Sequence, residues 1–438
     1  MDNYDVIVAG GGTAGSVAAI AAAREGARVL CFDQFGALGG SSTFALVMPL
    51  MRFTIGDRWL ARGLNEEIIT RLQAASDDGD GIFHNPERLK FVLEDMAIEA
   101  GVDLLYHTFL TGAVVEGGTL RAVEVHNKSG RSVLEAAAFV DATGDADLAF
   151  LVGSECMSGR PEDGLNQSAS LRFAMGGVDW NALAAWLNER GAGAEPPRFG
   201  FGYAPGNGKL AWMDDLLAQA SADGVLTSDQ GGYLQFFSMP GRPGEIYFNC
   251  PRILRINGAR AEDLTRAQIE GRRGVTALVN FVRRYFGGFE KAYLIAAAPM
   301  VGIRESRRIV GEYLFTGDDV MAAAKFSDAA ARSNYPIDIH RPDRAGVILK
   351  HPPDGDWYEI PYRCMLPIRP DGLLVAGRSI SSSFEGQSAM RIIPTVRALG
   401  EAAGVAAAWS AREAKPPRLL DTAALRQRWD SLGLLGDV

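Results

Sequence analysis

The chain opens on an apolar run, residues 5–9, that reads as a short buried strand. Gly10, Gly11 and Gly12 follow. Small apolar residues then recur at helical spacing over 14–25, with Gly26 as a stop. Residues 27–32 predict a second buried strand, ending in Asp33. Pro86–Ala100 carries Leu89, Val92, Leu93 and Met96 on one helical face. Residues 102–118 and 119–126 read as the strands of a hairpin, and 133–140 as another strand. The middle, from about 160 to 290, changes character. It holds many aromatics, predicts helices over 180–190 and 264–286, and alternates like antiparallel strands over 233–237 and 245–249. Residues 201–210 and 352–356 read as turn-rich loops. The opening style returns with a buried strand over 372–376 and a helix from 394 to 412, whose Gly400 and Gly404 suit close packing against a sheet.

The first forty residues thus form a strand–turn–helix–strand unit with Gly10-x-Gly12-x-x-Gly15 at the turn. In such a unit the first glycine permits the tight turn, the second lets a pyrophosphate approach the backbone, and the third lets helix and strand pack closely. The helix N-terminus then favours the diphosphate through its free N–H groups and dipole. Asp33 ends the second strand, where a carboxylate accepts hydrogen bonds from a ribose diol. Strand, helix and acid together read as a dinucleotide site. A second small-residue loop, Gly39-Gly40-Ser41-Ser42-Thr43, reads either as a wrap around the far side of a diphosphate or as an ordinary turn before a helix.

Composition narrows the function classes. The 438 residues suffice for two domains, and 47% hydrophobic with 22% charged content is ordinary for a globular protein. A net charge of −9 argues against a nucleic-acid or anionic-membrane surface. Apolar stretches are strand-sized or interrupted by charge, so no membrane span is expected. The N-terminus enters the first strand at once, which leaves no room for a signal peptide. Cys31, Cys156, Cys250 and Cys364 are far apart, without a CxxC pair or zinc spacing, and read as reduced thiols of a cytoplasmic protein. Five histidines without an HExxH pattern point to no metal site.

Four stretches in order, "VAGGGTAGSVAA", "DATGDADLA", "GIRESRRIVGEY" and "LLVAGRSISSSFEGQSAMRIIPTVRALGEAAGVAAA", span almost the whole chain. On these the chain resembles the bacterial FAD-dependent oxidoreductase family, related to the glutathione-reductase-like flavoproteins with two dinucleotide-binding domains. The resemblance implies an α/β fold: a Rossmann-like FAD-binding domain with a central parallel sheet plus an inserted α+β substrate domain. The division it suggests is 1–160 and 361–415 for the FAD domain and 161–360 for the substrate domain. Within the latter, about 295–320 would return to the FAD domain or its interface, and 416–438 would be a tail. It implies FAD as cofactor, with Gly10, Gly11, Gly12, Thr13, Ala14 and Gly15 at the diphosphate, and Asp33 and Gln34 at the adenosine ribose. Gly39, Gly40, Ser41, Ser42 and Thr43 would line the diphosphate and ribityl chain. Leu110 would meet adenine through its backbone, and Ala142, Thr143, Gly144 and Asp147 would lie near the adenosine half. Gly377 and Arg378 stand where many of these flavoproteins carry Gly-Asp, so Arg378 replaces a ribityl-binding acid. The backbone at Ile392, Ile393 and Pro394 would meet the flavin pyrimidine edge, where a helix N-terminus stabilises charge on the reduced ring.

Catalytic candidates come from cations and bases outside the nucleotide segments, because the flavin carries the redox chemistry. If "GIRESRRIVGEY" is a strand, Arg304, Ser306 and Arg308 share one face. Arg304 reads either as an anion clamp or flavin contact, or as an ion-pair partner of Glu305 or Glu312. Asp338 and His340 share a face if extended, and a carboxylate beside an imidazole orients it as a general base. The alternative is a histidine capping a loop near Pro342. Arg391 reads as a flavin or substrate contact or as a surface salt bridge. Cys364 reads as a buried, inert thiol. The expected function is hydride removal from a small organic substrate at a C–O, C–N or C–C bond, with oxygen or another acceptor taking the electrons. The rivals are an NAD(P)H-dependent flavin reductase or monooxygenase, and a non-catalytic FAD-binding scaffold. No nucleic-acid or membrane partner is expected, and a homo-oligomer is compatible with the sequence.

Overall fold

The computed structural model describes residues 4–74, 83–204, 210–227, 232–239 and 241–438. Strand Tyr4–Ala9 pairs in parallel with Val29–Phe32 on one side and with the second half of Gly130–Asp141 on the other. Asp103–Leu105 and Leu373–Val375 extend this parallel arrangement at its two sides. Helices cover these strands, so their sequences are apolar runs rather than alternations. The strand Gly130–Asp141 outruns its parallel neighbours. Its first half pairs antiparallel with Thr119–Asn127, which in turn pairs with Phe109–Glu116.

The predicted strand 102–118 is therefore two strands. The chain turns at His107, whose φ is +53°, and there Thr108 N–H donates to Asp33 O at 2.9 Å. The turn fastens the segment after the second strand and sends the rest into the antiparallel ribbon. Gly400 and Gly404 also differ from expectation. A Cβ at Gly400 would stand 2.3 Å from Ala14 O, and one at Gly404 2.2 Å from Ala18 O. These glycines seat helix Ile393–Glu413 on helix Gly15–Arg24 rather than on the sheet.

A second sheet of five antiparallel strands runs in the order Gly200–Tyr203, Leu234–Ser238, Ile246–Phe248, Phe173–Gly176, Tyr293–Ala297. With the helix Ala261–Tyr285 it encloses its own core, where Phe236, Phe248, Phe286 and Phe289 pack ring to ring. Most aromatics of the middle region are spent on this packing. The strand Gly200–Tyr203 replaces the start of the loop predicted over 201–210; residues 205–209 and Gly231 lie outside the described residues. In "GIRESRRIVGEY" only Arg307–Ile309 forms a strand, paired with Cys156–Ser158. Residues 303–306 are irregular because their polar groups are taken elsewhere: Gln387 Nε2 donates to Arg304 O at 2.8 Å, and Glu305 turns inward to pair with Arg308. Among the described residues no helix is long and apolar enough to cross a membrane.

Candidate active site

The three glycines of the first turn do different work. Gly10 has φ +92°, and a Cβ there would stand 2.7 Å from Ala142 O; a Cβ at Gly15 would stand 1.8 Å from Gly10 O. Both are required by backbone packing. At Gly12 a Cβ would meet nothing nearer than Ala142 O at 3.8 Å, because the position opens into a cavity. Helix Gly15–Arg24 begins beside it with no side-chain cap, which leaves that end suited to an anion. Asp33 accepts from Gly11 N–H at 2.7 Å and Phe35 N–H at 2.8 Å. It ties the turn to the second strand and still has lone pairs to offer. Burial pushes its carboxyl up, against these two backbone bonds. The loop of Gly39 to Thr43 forms a tight turn over Gly40–Ser42 and leans on the glycine turn. Gly39 N–H donates to Gly11 O at 2.9 Å, and Thr13 Oγ1 to Gly39 O at 3.0 Å.

A cavity of about 450 Å³ runs away from this turn. Of the sequence candidates, Gly12, Thr13, Ala14, Asp33, Gln34, Gly40, Ser41, Ala142, Thr143, Gly144, Gly377, Arg378, Ile393, Arg304 and Arg391 line it. Gly10, Gly11, Gly15, Gly39, Ser42 and Thr43 stand behind the first two loops. Leu110 sits in the antiparallel ribbon opposite Val125, away from the lining. Ile392 and Pro394 flank Ile393 at the start of the long helix. Asp147 is engaged by Arg307 Nη1 at 2.7 Å. The turn after strand Gly130–Asp141 is held by the buried Asp141. This carboxylate accepts from Thr143 Oγ1 at 2.7 Å and Ala149 N–H at 2.9 Å, and burial pushes it up to about 6. Arg378 donates to Asp145 Oδ1 at 2.7 Å, so the acid missing after Gly377 is met across the cavity wall by Asp145.

Behind the cavity wall at Arg391 lies a polar cluster; Arg391 lines the cavity, while His340, Asp338, Tyr335 and Gln167 do not. His340 Nε2 is 3.3 Å from Asp338 Oδ2, and Arg391 Nη2 lies 3.5 Å from the same oxygen. Tyr335 OH donates to Asp338 Oδ2 at 2.9 Å. Burial pushes the Asp338 carboxyl up, but the hydrogen bond from His340 and the charge of Arg391 outweigh it and hold it below the usual carboxylate range. Burial, then Arg252 and Arg304, hold His340 well below its ordinary value, so the imidazole is neutral. With Nε2–H directed at Asp338, His340 Nδ1 is a lone-pair acceptor; it is buried and has no hydrogen-bond partner. Gln167 Oε1 accepts from His340 N–H at 3.2 Å and Arg391 Nη2 at 3.4 Å, and Gln167 Nε2 donates to Gln387 Oε1 at 3.1 Å. The "EGQSAM" segment thus orients the cluster through Gln387.

Arg304 makes no ion pair with Glu305 or Glu312, which are matched to Arg308 and Arg418. It donates instead to Ser168 O at 2.6 Å and Ser170 Oγ at 2.9 Å. Arg391 is not on the surface but beside Asp338 and Gln167. Cys364 is buried, and burial raises its thiol well above the ordinary range. Sequence reasoning missed Asp145, Arg172, Arg252 and Gln167. Asp145 stood inside a quoted motif, but the other three carry no local spacing signal and meet the site only through tertiary folding.

Comparison with known proteins follows the same lines. The profile of the FAD dependent oxidoreductase family matches residues 5–429. Digeranylgeranylglycerophospholipid reductase 1 of Methanococcoides burtonii is 29% identical over 136 residues, 28% of this chain and 33% of that protein; the match spans only about a third of the relative's length. Among solved structures, a geranylgeranyl bacteriochlorophyll reductase-like protein of Thermoplasma acidophilum aligns over 99% of this chain and 83% of its own, at 15% identity and TM-score 0.47. The p-nitrophenol 4-monooxygenase of Pseudomonas putida aligns over 99% and 87%, at 12% identity and TM-score 0.46. The chain belongs to the FAD dependent oxidoreductase family; it is an enzyme and its cofactor is FAD.

Proposed function

We propose that this FAD dependent oxidoreductase removes a hydride from a small organic substrate held between the flavin end of the cavity and the Asp338–His340–Arg391 cluster. The observation that carries the reading is one cavity joining the glycine turn to Arg304 and Arg391, with His340, whose Nδ1 is unpartnered, in the layer behind Arg391. The residues suit FAD: Gly12 and Gly40 offer bare backbone for the diphosphate, Asp33 keeps lone pairs for the ribose, and the helix starting at Ile393 faces the cavity with its N-terminus. FAD, when bound, supplies the two-electron acceptor. The chain's own part is the proton. His340 Nδ1 takes the proton from the substrate O–H or N–H, while Asp338 holds Nε2–H and fixes the tautomer. Arg304 and Arg391 orient the substrate, and Gln167 and Gln387 hold them in place.

A second reading, a flavin reductase or monooxygenase fed by NAD(P)H, is favoured by the reductase name of the Methanococcoides relative. Against it, the described residues contain one glycine-turn strand–helix–strand unit. Other glycine pairs have structural uses: Gly117 and Gly118 close the ribbon, Gly176 ends the strand Phe173–Gly176, and Gly288, at φ +86°, packs against the backbone at Asp179 and Leu183. Anaerobic mixing of the holoenzyme with millimolar NADPH or NADH, followed at the flavin absorption band, decides between them. Slow or absent bleaching is expected; rapid bleaching overturns the substrate-oxidation reading.

A further inference from the structure

Four arginines from four separate segments converge at one wall of the cavity: Arg172, Arg304 and Arg391 line it, and Arg252 stands directly behind, joined to Arg304 through Ser170. Arg304 Nη2 and Arg252 Nη1 both donate to Ser170 Oγ, at 2.9 and 3.3 Å. Arg252 lies over the Tyr233 ring at 3.8 Å, and the same ring meets His340 edge-on. Arg172, two residues beyond Ser170, lines the cavity and donates to Leu46 O at 3.2 Å. Arg391 donates to Asp338 O at 3.0 Å. Among the described residues, Asp338 is the one carboxylate within ion-pair distance of any of the four. It is already engaged by His340 and Tyr335.

Buried arginines elsewhere stand singly, and Arg397 too has a neutral partner, Asn65 Oδ1 at 3.0 Å. Arg308 is matched to Glu305, and Arg332 to Glu359 at 3.0 Å. Here, Asp338 apart, the partners are neutral oxygens, and two donors, Arg252 Nη2 and Arg391 Nε, are buried without any partner. Like charges gathered away from water are costly unless something compensates them. Burial and the neighbouring Arg252 draw Arg172 down to about 10, and burial with Arg252, Arg391 and Arg172 draws Arg304 well down. The FAD diphosphate does not balance this charge if it lies at the glycine turn, on Gly12 and Gly40.

We propose that Arg172, Arg252, Arg304 and Arg391 are the recognition site for a carboxylate of the substrate, so that the molecule oxidised is a small organic acid. This deepens the reading above and rests on it for the placement of the flavin. The planar guanidinium matches the two oxygens of a carboxylate in fork geometry. Several such forks around one neutral His340 place the acid group next to the base that takes the proton. The cluster's excess positive charge favours a substrate with more than one carboxylate.

The test is binding, not turnover. Holoenzyme is titrated at constant ionic strength with succinate, acetate and inorganic phosphate, reading the flavin difference spectrum and the melting temperature. Succinate is expected to saturate and to bind more tightly than acetate. Arg252→Met is expected to weaken it at least tenfold, while leaving the ligand-free melting temperature unchanged or higher, because one of the repelling charges is gone. Arg252→Lys, which keeps the charge but not the fork, should restore only part of the binding. No saturable succinate binding, tighter binding of phosphate, or a lowered melting temperature in Arg252→Met with binding intact would each overturn the proposal. Failure here with slow NADPH bleaching removes this inference alone; rapid NADPH bleaching removes the donor reading and leaves the binding result standing.

Discussion

Glu401 sits on the buried face of the long helix, where its Oε2 accepts from Leu64 N–H at 2.9 Å. Burial pushes its carboxyl from 4.5 up to about 7, with the Leu64 bond acting against the rise. The raised value fixes the sign. The group's contribution to stability is fully present below about 4.5 and is lost as pH rises through about 7, because ionisation costs more in the fold than in the unfolded chain. Glu401→Gln keeps an acceptor for Leu64 and removes that cost. The variant is expected to match the wild type near pH 4.5 and to exceed it by about 1–3 kcal/mol at pH 8 in denaturant unfolding; an unchanged pH profile would count against the assignment. At this scale the sequence was readable where chemistry sits on consecutive residues. The Gly10–Gly15 turn and Asp33 are local, so spacing alone placed them. Arg252 and Arg304 lie 52 positions apart and gain meaning only when both reach Ser170 Oγ.

Helix Ile393–Glu413 is the element on which the cofactor end of the molecule depends. It lies directly on helix Gly15–Arg24, whose N-terminus faces the cavity, and Gly400 and Gly404 set the distance. In an exposed helix, glycine to alanine gains roughly 1 kcal/mol of helix propensity. Here the sign is expected to reverse. A methyl about 2.3 Å from a carbonyl oxygen forces the helices apart, so Gly400→Ala should cost ~1–3 kcal/mol or more and lower flavin retention. Thermal unfolding and flavin content per chain check both, and a stabilised variant would show that the helices can separate freely. The periodicity of Pro86–Ala100 and of Ala261–Tyr285 was legible because each buries one face, whereas Ile393–Glu413 is buried on all sides as far as Ala408 and was legible from its run of small residues. The partner of a face is not written in its own spacing. That is why the glycines were matched to a sheet, and why an irregular stretch rich in Arg and Glu read as a strand: alternation in 303–308 comes from buried polar groups, not from a ladder.

Over the whole molecule, two hydrophobic cores are distinct, one around the parallel sheet and one behind the antiparallel sheet. The cavity is bounded by both halves. Gly12, Gly40 and Thr143 come from the parallel side, while Gln268 and Pro299 to Arg304 come from segments beside the antiparallel side. Gly302 N–H and Ser170 O, bonded at 2.8 Å, fasten this second wall to the arginine cluster. A cofactor that fills the cavity therefore touches segments nearly three hundred residues apart, and its binding free energy is shared between them. A ligand at a hundred times its dissociation constant stabilises the bound form by about 2.7 kcal/mol, roughly a hundredfold in opening equilibrium. Hydrogen exchange of holoenzyme against flavin-stripped chain should show slowing of up to that order, beyond the glycine turn and residues 141–145, in the peptide covering 299–304 as well. Protection confined to the glycine turn and 141–145 would mean that the flavin leaves the second wall untouched. The substrate end would then belong to the antiparallel half alone. Protection in both places makes the seam between the two cores the place where the reaction occurs, with the parallel half holding the cofactor and the other closing over it.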